Sequence, residues 1–293
     1  MVAESLTEAS GATGAAHAAT KGCAFSPAPS SPRHAFAVCA YGKSPYLREC
    51  LDSLRAQEGE TSEVFIATST PSAWLEGIAA EYRLPLYVNE GEAGIGQDWN
   101  FAYSHATAPY VTIAHQDDTY CPGYAAAAVR ALSADPSSLI FFTNYGELRE
   151  GEHVDDNELL RVKRRLMQPL ADGTRAGRRW AKRAVLRFGS AICCPSVTFN
   201  VANCPNPPFV VGMKSNLDWA TWELLSRREG TFLYGGDEVL MYHRIHPESA
   251  TSELIANHAR DAEDLAMLER FWPRPVAALI ERAYSRGTKS NEL

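Results

Sequence analysis

The 293-residue sequence has no uncharged apolar run of the roughly 18 residues that a membrane-spanning helix needs. Its first ten residues lack the basic and apolar parts of a secretory signal. Its seven cysteines are odd in number and form no C-x-x-C pair, which favours reduced thiols over a disulfide framework. We therefore expect a cytoplasmic protein.

The sequence also lacks the basic excess of a nucleic-acid-binding protein. Lys and Arg total 28 against 35 Asp and Glu, which gives a formal charge of −7. A net acidic chain is a poor partner for a phosphate backbone, so we expect no nucleic-acid partner. Hydrophobic residues make up 45% and charged residues 22%, as in an ordinary globular protein.

The chain divides by composition and periodicity. Residues 1–33 are rich in Ala, Ser, Thr, Gly and Pro and predict a disordered tail. Over residues 34–145, short apolar runs alternate with helical patterns, which predicts an α/β fold with a mostly parallel central sheet flanked by helices. The alternation stops in residues 146–250, and residues 251–293 predict C-terminal helices broken near Pro273.

Two local predictions concern element boundaries. Ser44 and Pro45 have the chemistry of an N-cap and a first helical residue, so a helix is expected to begin there. The runs TFLYGG and EVLMYHRI predict two separate strands.

The strongest candidate site is His115-Gln116-Asp117-Asp118, which follows the apolar run YVTIA. In parallel α/β sheets, ligands bind beyond the carboxyl ends of the strands. Two adjacent carboxylates at such an end are costly to bury unless a cation compensates them, and oxygen ligands suit Mg²⁺ or Mn²⁺. The alternative is that Asp118 caps the next helix, which explains one carboxylate more easily than two and a histidine.

A second candidate is the segment Tyr242-His243-Arg244-Ile245-His246. In an extended chain, Tyr242, Arg244 and His246 lie on one side and His243 on the other. Arg244 suits a phosphate oxygen, and His246 suits a metal or a phosphate. A lone histidine is more often structural, so the functional assignment of His246 depends on its position after a strand.

Two further segments carry weaker signals. Asp218 lies in the first turn of the predicted helix NLDWATWELL, where it either favours the helix dipole or acts as a general base. The segment from Gly91 to Gly96 is not G-x-G-x-x-G and fails as a dinucleotide fingerprint. Its glycines allow a ligand to approach the backbone closely.

Taken in order, four segments resemble glycosyltransferase family 2, whose members are inverting enzymes of the GT-A fold. The segments are VCAYGKSPYLRECLDSLRAQ, GIGQDWNFAYSHATAPYVTIAHQDD, NLDWATWELLSRREG and MYHRIHPESAT. The resemblance spans about residues 36–251 and implies one GT-A domain over residues 34–250, with residues 34–145 as its nucleotide-sugar-binding half and residues 146–250 as its acceptor half.

The resemblance implies roles for individual residues. Asp218 would be the catalytic base, and Asp118, Asp117 and His246 would hold Mn²⁺ or Mg²⁺. The donor-binding residues would be Tyr41, Thr68, Gly94, Asn100, Asp117 and Arg244. The donor would be a nucleotide sugar (a UDP-sugar is favoured over a dTDP- or GDP-sugar) and the acceptor a glycan or lipid-linked hydroxyl, in bacterial surface-polysaccharide or glycoconjugate biosynthesis.

The sequence departs from the family pattern at three places. The turn from Ala67 to Pro71 has no carboxylate where the family commonly has one that contacts the base. Trp99 stands where an arginine usually precedes Asn100, and His115-Gln116 replace the first aspartate of the metal-binding motif. These departures leave the donor base open, as well as whether His115 or Asp117 contacts the metal.

The basic segment, residues 161–187, has ten Lys or Arg and a single Asp, a formal charge of +9. Because the chain totals −7, the rest carries −16. Arg175, Arg179, Lys182 and Arg183 are expected largely off the apolar stripe of a helix. One reading is a solvated helix face packed on the acidic body. The other is docking on an anionic membrane surface, at the inner face of the plasma membrane, or on a lipid-linked pyrophosphate.

Two other functions remain open on the sequence alone. The group His115, Asp117, Asp118, His243 and His246 also suits a two-metal hydrolase. The unusual Thr-Ser-Thr turn is also compatible with a non-catalytic module that binds sugar nucleotides or lipids.

Overall fold

The computed structural model describes residues 31–247 and 259–288, so most of the predicted tail (1–33) lies outside the described residues. The strands are β1 His34–Ala40, β2 Ser62–Thr68, β3 Leu86–Val88, β4 Tyr110–His115, β5 Thr119–Tyr120, β6 Ser138–Arg149, β7 Glu152–Val154, β8 Val197–Asn200 and β9 Thr231–Ile245. The helices are α1 Leu47–Arg55, α2 Ala73–Tyr82, α3 Ile95–His105, α4 Tyr124–Ala134, α5 Glu158–Met167, α6 Arg179–Ala184, α7 Leu217–Ser226, α8 Ala259–Leu268 and α9 Arg274–Thr288.

Within the described residues, one nine-stranded sheet runs in the order β3-β2-β1-β4-β8-β6-β9-β5, and β7 pairs with β6. The strands β3, β2, β1 and β4 are mutually parallel, as the alternating sequence predicts. β1 is buried on both faces, which explains why it reads as a continuous apolar run. The predicted α/β fold is therefore confirmed.

The second half of the sheet is mixed. β8 is antiparallel to both β4 and β6, while β6 and β9 are parallel. Antiparallel strands need no crossover helix, and this explains why the strand–helix alternation stops after about residue 145.

Two predicted boundaries are wrong. α1 begins at Leu47 with Tyr46 as N-cap, because the Ser44 hydroxyl accepts from the Tyr46 amide in a turn that precedes the helix. The runs predicted as two strands form one strand, β9, with irregular pairing to β6 between Tyr234 and Val239. Gly236, at φ 85°, provides the irregularity without ending the strand.

In the second half of the chain, α7 contributes large side chains to the core. Trp219 and Trp222 are fully buried, and the Trp219 indole donates to the Leu186 carbonyl at 2.9 Å. These anchors fix the first turn of α7, which carries Asp218. Helices α8 and α9 meet at the predicted break near Pro273. In the described part of the chain, no helix combines the length and apolar character needed to cross a bilayer.

Candidate active site

Three parallel strands end together at one edge of the sheet. In the pairing register, Ala40 of β1 lies beside Thr68 of β2, and Cys39 lies beside His115 of β4. The residues that follow these strands therefore share an edge, which is where a ligand binds in such sheets. Tyr41, Thr68 and the cluster His115–Asp118 are all at this edge.

Asp118 is fully buried at the centre of the cluster. Its Oδ1 accepts the Arg244 backbone N–H at 2.8 Å and lies 3.0 Å from His243 Nδ1. Burial lowers the pKa of His243, but the charge of Asp118 and this hydrogen bond outweigh it and hold that pKa above its usual value. The capping alternative finds no support here, since Gly123 is the N-cap of α4.

Asp117 is bound by the same segment of β9. Its Oδ2 lies 2.9 Å from His246 Nε2, and its backbone carbonyl accepts from Arg244 Nε at 2.8 Å. Burial raises the pKa of Asp117, but the His246 hydrogen bond and the surrounding imidazoles bring it below the ordinary value. Although an extended strand separates His243 from Arg244 and His246, all three contact the aspartate pair.

The donor atoms fit a divalent cation. His115, Asp117 and Asp118 each present one ligand atom, all within 4.8 Å of one another. Asp118 Oδ2 and His115 Nε2 are buried and have no hydrogen-bond partner among the described residues. Unsatisfied buried acceptors of this kind are costly unless a ligand completes them. This group does not include His246, whose assignment as a metal ligand stays a prediction.

The charges of Asp218 and Asp118 both act on the partly buried thiol of Cys193. Burial raises the pKa of Cys193, and the charges of Asp118 and Asp218 raise it further while Lys163 opposes them. Asp218 is half-buried, and Ser190 Oγ lies 3.5 Å from its Oδ2. The backbone amide of the next residue, Trp219, donates to its Oδ1 at 2.6 Å. The charges of Asp218 and of the acidic cluster therefore act on the same thiol, and the assignment of Asp218 as the base stays a prediction.

The predicted donor-binding residues differ in their surroundings. Tyr41 is 69% exposed at the edge, and Gln116 holds its backbone by hydrogen bonds to the amide (3.1 Å) and the carbonyl (2.9 Å). Thr68 is buried beneath the turn and bonds the Thr70 amide. Gly94 is the N-cap of α3.

Asn100 has a clear structural contact. Its side-chain amide donates to the Phe209 carbonyl at 3.0 Å and accepts from the Phe209 amide at 2.9 Å. Asn100 thus fastens α3 to the loop before α7, and its assignment to donor binding stays a prediction.

Sequence reasoning missed two side chains of this centre. Glu49, in the first turn of α1, accepts from Arg244 at 2.5 Å. Lys163, from the basic segment, donates to the Tyr145 hydroxyl at 2.6 Å and influences both Cys193 and His243. Glu49 could have been identified by its position in the chain, because it lies in the first turn of the helix that follows β1, near the edge where ligands bind. For Lys163 the local sequence offered none.

The basic segment divides into a packed part and an exposed part. Arg183 binds the buried Glu223 of α7, Arg164 binds Asp156, and Lys182 is fully buried. The prediction that Lys182 lies largely off the buried stripe is wrong, because its Nζ donates to the Arg228 and Gly230 carbonyls (2.6 and 2.8 Å). The exposed residues are Arg161, Arg165, Arg175, Arg178, Arg179, Trp180 and Arg187.

A mixed sheet with an acidic cluster at the carboxyl edge of its parallel half is the arrangement of a GT-A glycosyltransferase. The model of the family described as glycosyl transferase family 2 matches residues 36–191, more than half of the chain. The chain therefore belongs to glycosyltransferase family 2. Membership makes it a glycosyltransferase, in preference to a hydrolase or a non-catalytic module.

Solved structures show the same fold at low sequence identity. A mannosyltransferase from Pyrobaculum calidifontis, in complex with GDP-Man and Mn²⁺, matches with a TM-score of 0.56 and 17% identity over 89% of this chain and 71% of that one. S. aureus TarS (residues 1–349) matches with a TM-score of 0.54 and 16% identity over 85% and 69%. Its complex with UDP-GlcNAc gives a TM-score of 0.51 and 16% identity over 85% and 70%. No curated protein matches the sequence significantly.

Proposed function

We propose that the protein is a metal-dependent inverting glycosyltransferase that moves a sugar from a nucleoside-diphosphate sugar to a hydroxyl acceptor. The observation that carries this proposal is the set of His115, Asp117 and Asp118, with the unpartnered Oδ2 of the buried Asp118. Mn²⁺ or Mg²⁺ held there would offset the charge that grows on the leaving diphosphate. The similar mannosyltransferase was solved with GDP-Man and Mn²⁺, which is in keeping with this proposal.

Asp218 is proposed as the general base. It takes the proton of the acceptor hydroxyl while the oxygen attacks the anomeric carbon and the bond from that carbon to the diphosphate breaks. A single displacement of this kind inverts the anomeric carbon. Support comes from the place of Asp218 in the first turn of α7, where it is half-buried with Ser190 Oγ 3.5 Å from its Oδ2.

The remaining residues are proposed to bind and orient the donor. Tyr41 is proposed to contact the base or ribose, and its exposure and its backbone hydrogen bonds to Gln116 support this role. Arg244 and Lys163 supply positive charge beside the acidic cluster, where the phosphates are expected. A UDP-sugar is favoured, with dTDP- and GDP-sugars as alternatives. Thr68, Gly94 and Asn100 would shape the same edge.

The acceptor is proposed to be a glycan or a lipid-linked hydroxyl in bacterial surface-polysaccharide or glycoconjugate biosynthesis. The exposed part of the basic segment supports work at an anionic membrane surface, because it holds Trp180, 58% exposed, with the Arg175 guanidinium 5.7 Å from its ring. Arginine with tryptophan is a combination typical of membrane interfaces.

The direct test is product analysis with a nucleotide sugar, Mn²⁺ and a lipid-extract or glycan acceptor. We expect wild-type protein to form a sugar–acceptor product of inverted configuration, and Asp118→Ala to lose metal-dependent turnover. Asp172→Ala, which removes an exposed carboxylate of the basic segment, is the matched control and should turn over normally. Release of free sugar alone would instead indicate hydrolysis. Unchanged turnover by Asp118→Ala would reject the metal assignment.

A further inference from the structure

Two of the departures from the family pattern meet in space. The His115 imidazole stacks on the Trp99 indole, with ring centroids 5.0 Å apart and planes inclined by 22°. Trp99 is itself fixed by an edge-to-face contact with Phe209, centroids 5.0 Å apart. Since Asn100 holds the Phe209 backbone through two hydrogen bonds, the indole has a rigid support. The orientation of His115 is therefore set by α3 and the loop that α3 holds.

The imidazole so fixed faces the aspartate pair. His115 Nδ1 lies 3.7 Å from Asp118 Oδ2, the carboxylate oxygen that has no hydrogen-bond partner among the described residues. A separation of 3.7 Å is too long for a hydrogen bond. The second nitrogen of the same ring, Nε2, is buried and also has no hydrogen-bond partner among the described residues. An imidazole and a carboxylate oxygen left in this state side by side point to a shared cation.

The imidazoles of His243 and His246 each contact one of the two carboxylates at hydrogen-bond distance. His243 Nδ1 is 3.0 Å from Asp118 Oδ1, and His246 Nε2 is 2.9 Å from Asp117 Oδ2. These contacts orient the two carboxylates, as outer hydrogen bonds commonly do around a metal. Among the described residues, His115 makes no hydrogen bond to a carboxylate, since it approaches Asp118 only to 3.7 Å. Its imidazole is therefore the one available for direct coordination.

We propose that His115 is a direct ligand of the divalent cation, and that Trp99 is the positioning residue that holds its imidazole in place. The ligand set is then one nitrogen from His115 and oxygens from Asp117 and Asp118. This inference rests on the proposed metal-dependent function and adds the identity of the third ligand.

The nitrogen ligand has a consequence for metal choice. Mg²⁺ strongly prefers oxygen ligands, whereas imidazole is a good ligand for transition-metal ions. The site should therefore favour Mn²⁺ over Mg²⁺ by more than an all-carboxylate site does. His115→Asp, which restores the aspartate usual in the family, should lower the ratio of Mn²⁺ affinity to Mg²⁺ affinity about tenfold.

The test is pulsed electron paramagnetic resonance of the protein loaded with Mn²⁺ alone, which detects directly bound nitrogen without any turnover. We expect a nitrogen coupling in the wild type that disappears in His115→Asn and persists in His243→Asn and His246→Asn. Trp99→Ala should weaken Mn²⁺ binding about tenfold, and Trp99→Phe, which keeps a stacking ring, should restore most of the affinity. Circular dichroism checks that each variant is folded.

The outcomes separate this inference from the proposed function. If the wild type binds Mn²⁺ and His115→Asn keeps the full nitrogen coupling, His115 is not a ligand, while metal-dependent transfer stands. If Trp99→Ala binds Mn²⁺ as tightly as the wild type, Trp99 has no positioning role. If the wild type binds no Mn²⁺ with or without donor, the metal-dependent function itself fails.

Discussion

At the scale of single residues, the proposed transfer depends most on Asp218. Asp218→Asn keeps the size of the side chain and the oxygen that the Trp219 amide contacts, but it removes the proton acceptor. We expect donor affinity to be unchanged and transfer to fall at least about 100-fold, the low end of general-base contributions. Initial rates and donor titrations measure the two effects separately.

Asp172→Asn, at an exposed site, is the control for Asp218→Asn and should behave as wild type. Persistent transfer by Asp218→Asn would place the base elsewhere.

His34, the first residue of β1, makes stability depend on pH. It is fully buried, its Nδ1 and Nε2 lie 3.0 Å from Ser62 Oγ and 2.9 Å from Thr112 Oγ1, and burial lowers its pKa from 6.5 to about 3. Below pH 6.5 the imidazole of His34 is protonated in the unfolded chain but stays neutral in the folded chain. The contribution of His34 to the free energy of unfolding is therefore present above pH 6.5. It is lost as the pH falls toward 3, by at most about 1.4 kcal/mol per pH unit.

The variant His34→Gln isolates this effect. Its deficit in unfolding free energy relative to wild type, measured by urea denaturation, should be largest at pH 7 and should shrink at pH 6 and pH 5. A deficit that stays constant across this range would mean that His34 is not held neutral in the fold.

The acidic cluster was predictable from the sequence because its carboxylates directly follow a strand. His243 and His246 were grouped with the cluster by residue type alone. The contact of Glu49 with Arg244 was not predictable, since the two residues come from segments far apart in the chain. Local patterns carry no information on such long-range contacts. The sequence shows Trp99 and His115 only as two separate departures from the family pattern, and it does not predict that their rings stack.

At the scale of secondary-structure elements, α6 shows how tertiary contacts override a helical pattern. Its spacing correctly predicts that Ala181 and Val185 are buried, but Lys182 is buried as well. A helical wheel shows which side of α6 is apolar. It cannot show that the Arg228 and Gly230 carbonyls lie beside that helix and accept hydrogen bonds from Lys182. Burial, with the charge of Arg179, lowers the pKa of Lys182 to about 8.

Lys182→Met tests this contact. The substitution keeps much of the apolar stem and removes both hydrogen bonds, so we expect a loss of about 1–3 kcal/mol in unfolding free energy. Arg179→Met, on the exposed side of the same helix, should change it by less than about 0.5 kcal/mol. Urea denaturation of both variants gives the comparison. Equal, small effects would show that Lys182 does not tie α6 to the end of α7.

The elements of the sheet were predictable to different degrees. The parallel strands β1 and β4 are recognisable by continuous apolar runs, because both of their faces are covered. The sequence gives no comparable signal that β9 continues through Gly235 and Gly236, since glycine pairs more often end a strand than bend it.

At the scale of the whole molecule, charge is strongly segregated. Arg164 and Arg183 of the basic segment bind acidic residues of the body, which supports the packed reading for that part. Arg165, Arg175, Arg178 and Arg179 are exposed and make no ion pair with described residues. The two readings of the basic segment therefore apply to different parts of it.

Vesicle flotation tests the exposed part. We expect binding to vesicles with anionic lipid and none to neutral vesicles, weakened about fivefold or more by Arg178→Glu because each basic residue near such a surface contributes about 1 kcal/mol. Arg130→Glu, the same charge change at an exposed site on α4, should have a smaller effect. Equal binding to both kinds of vesicle, or to neither, would reject the membrane surface as a partner.

The most direct test of the central claim is calorimetry of donor binding at the Asp118 centre. UDP-, GDP- and dTDP-sugars are titrated into the wild type and Asp118→Asn, each with and without Mn²⁺. We expect at least one donor to bind the wild type only when Mn²⁺ is present and not to bind Asp118→Asn. Failure of every donor to bind with Mn²⁺, or equal affinity in Asp118→Asn, would contradict that claim.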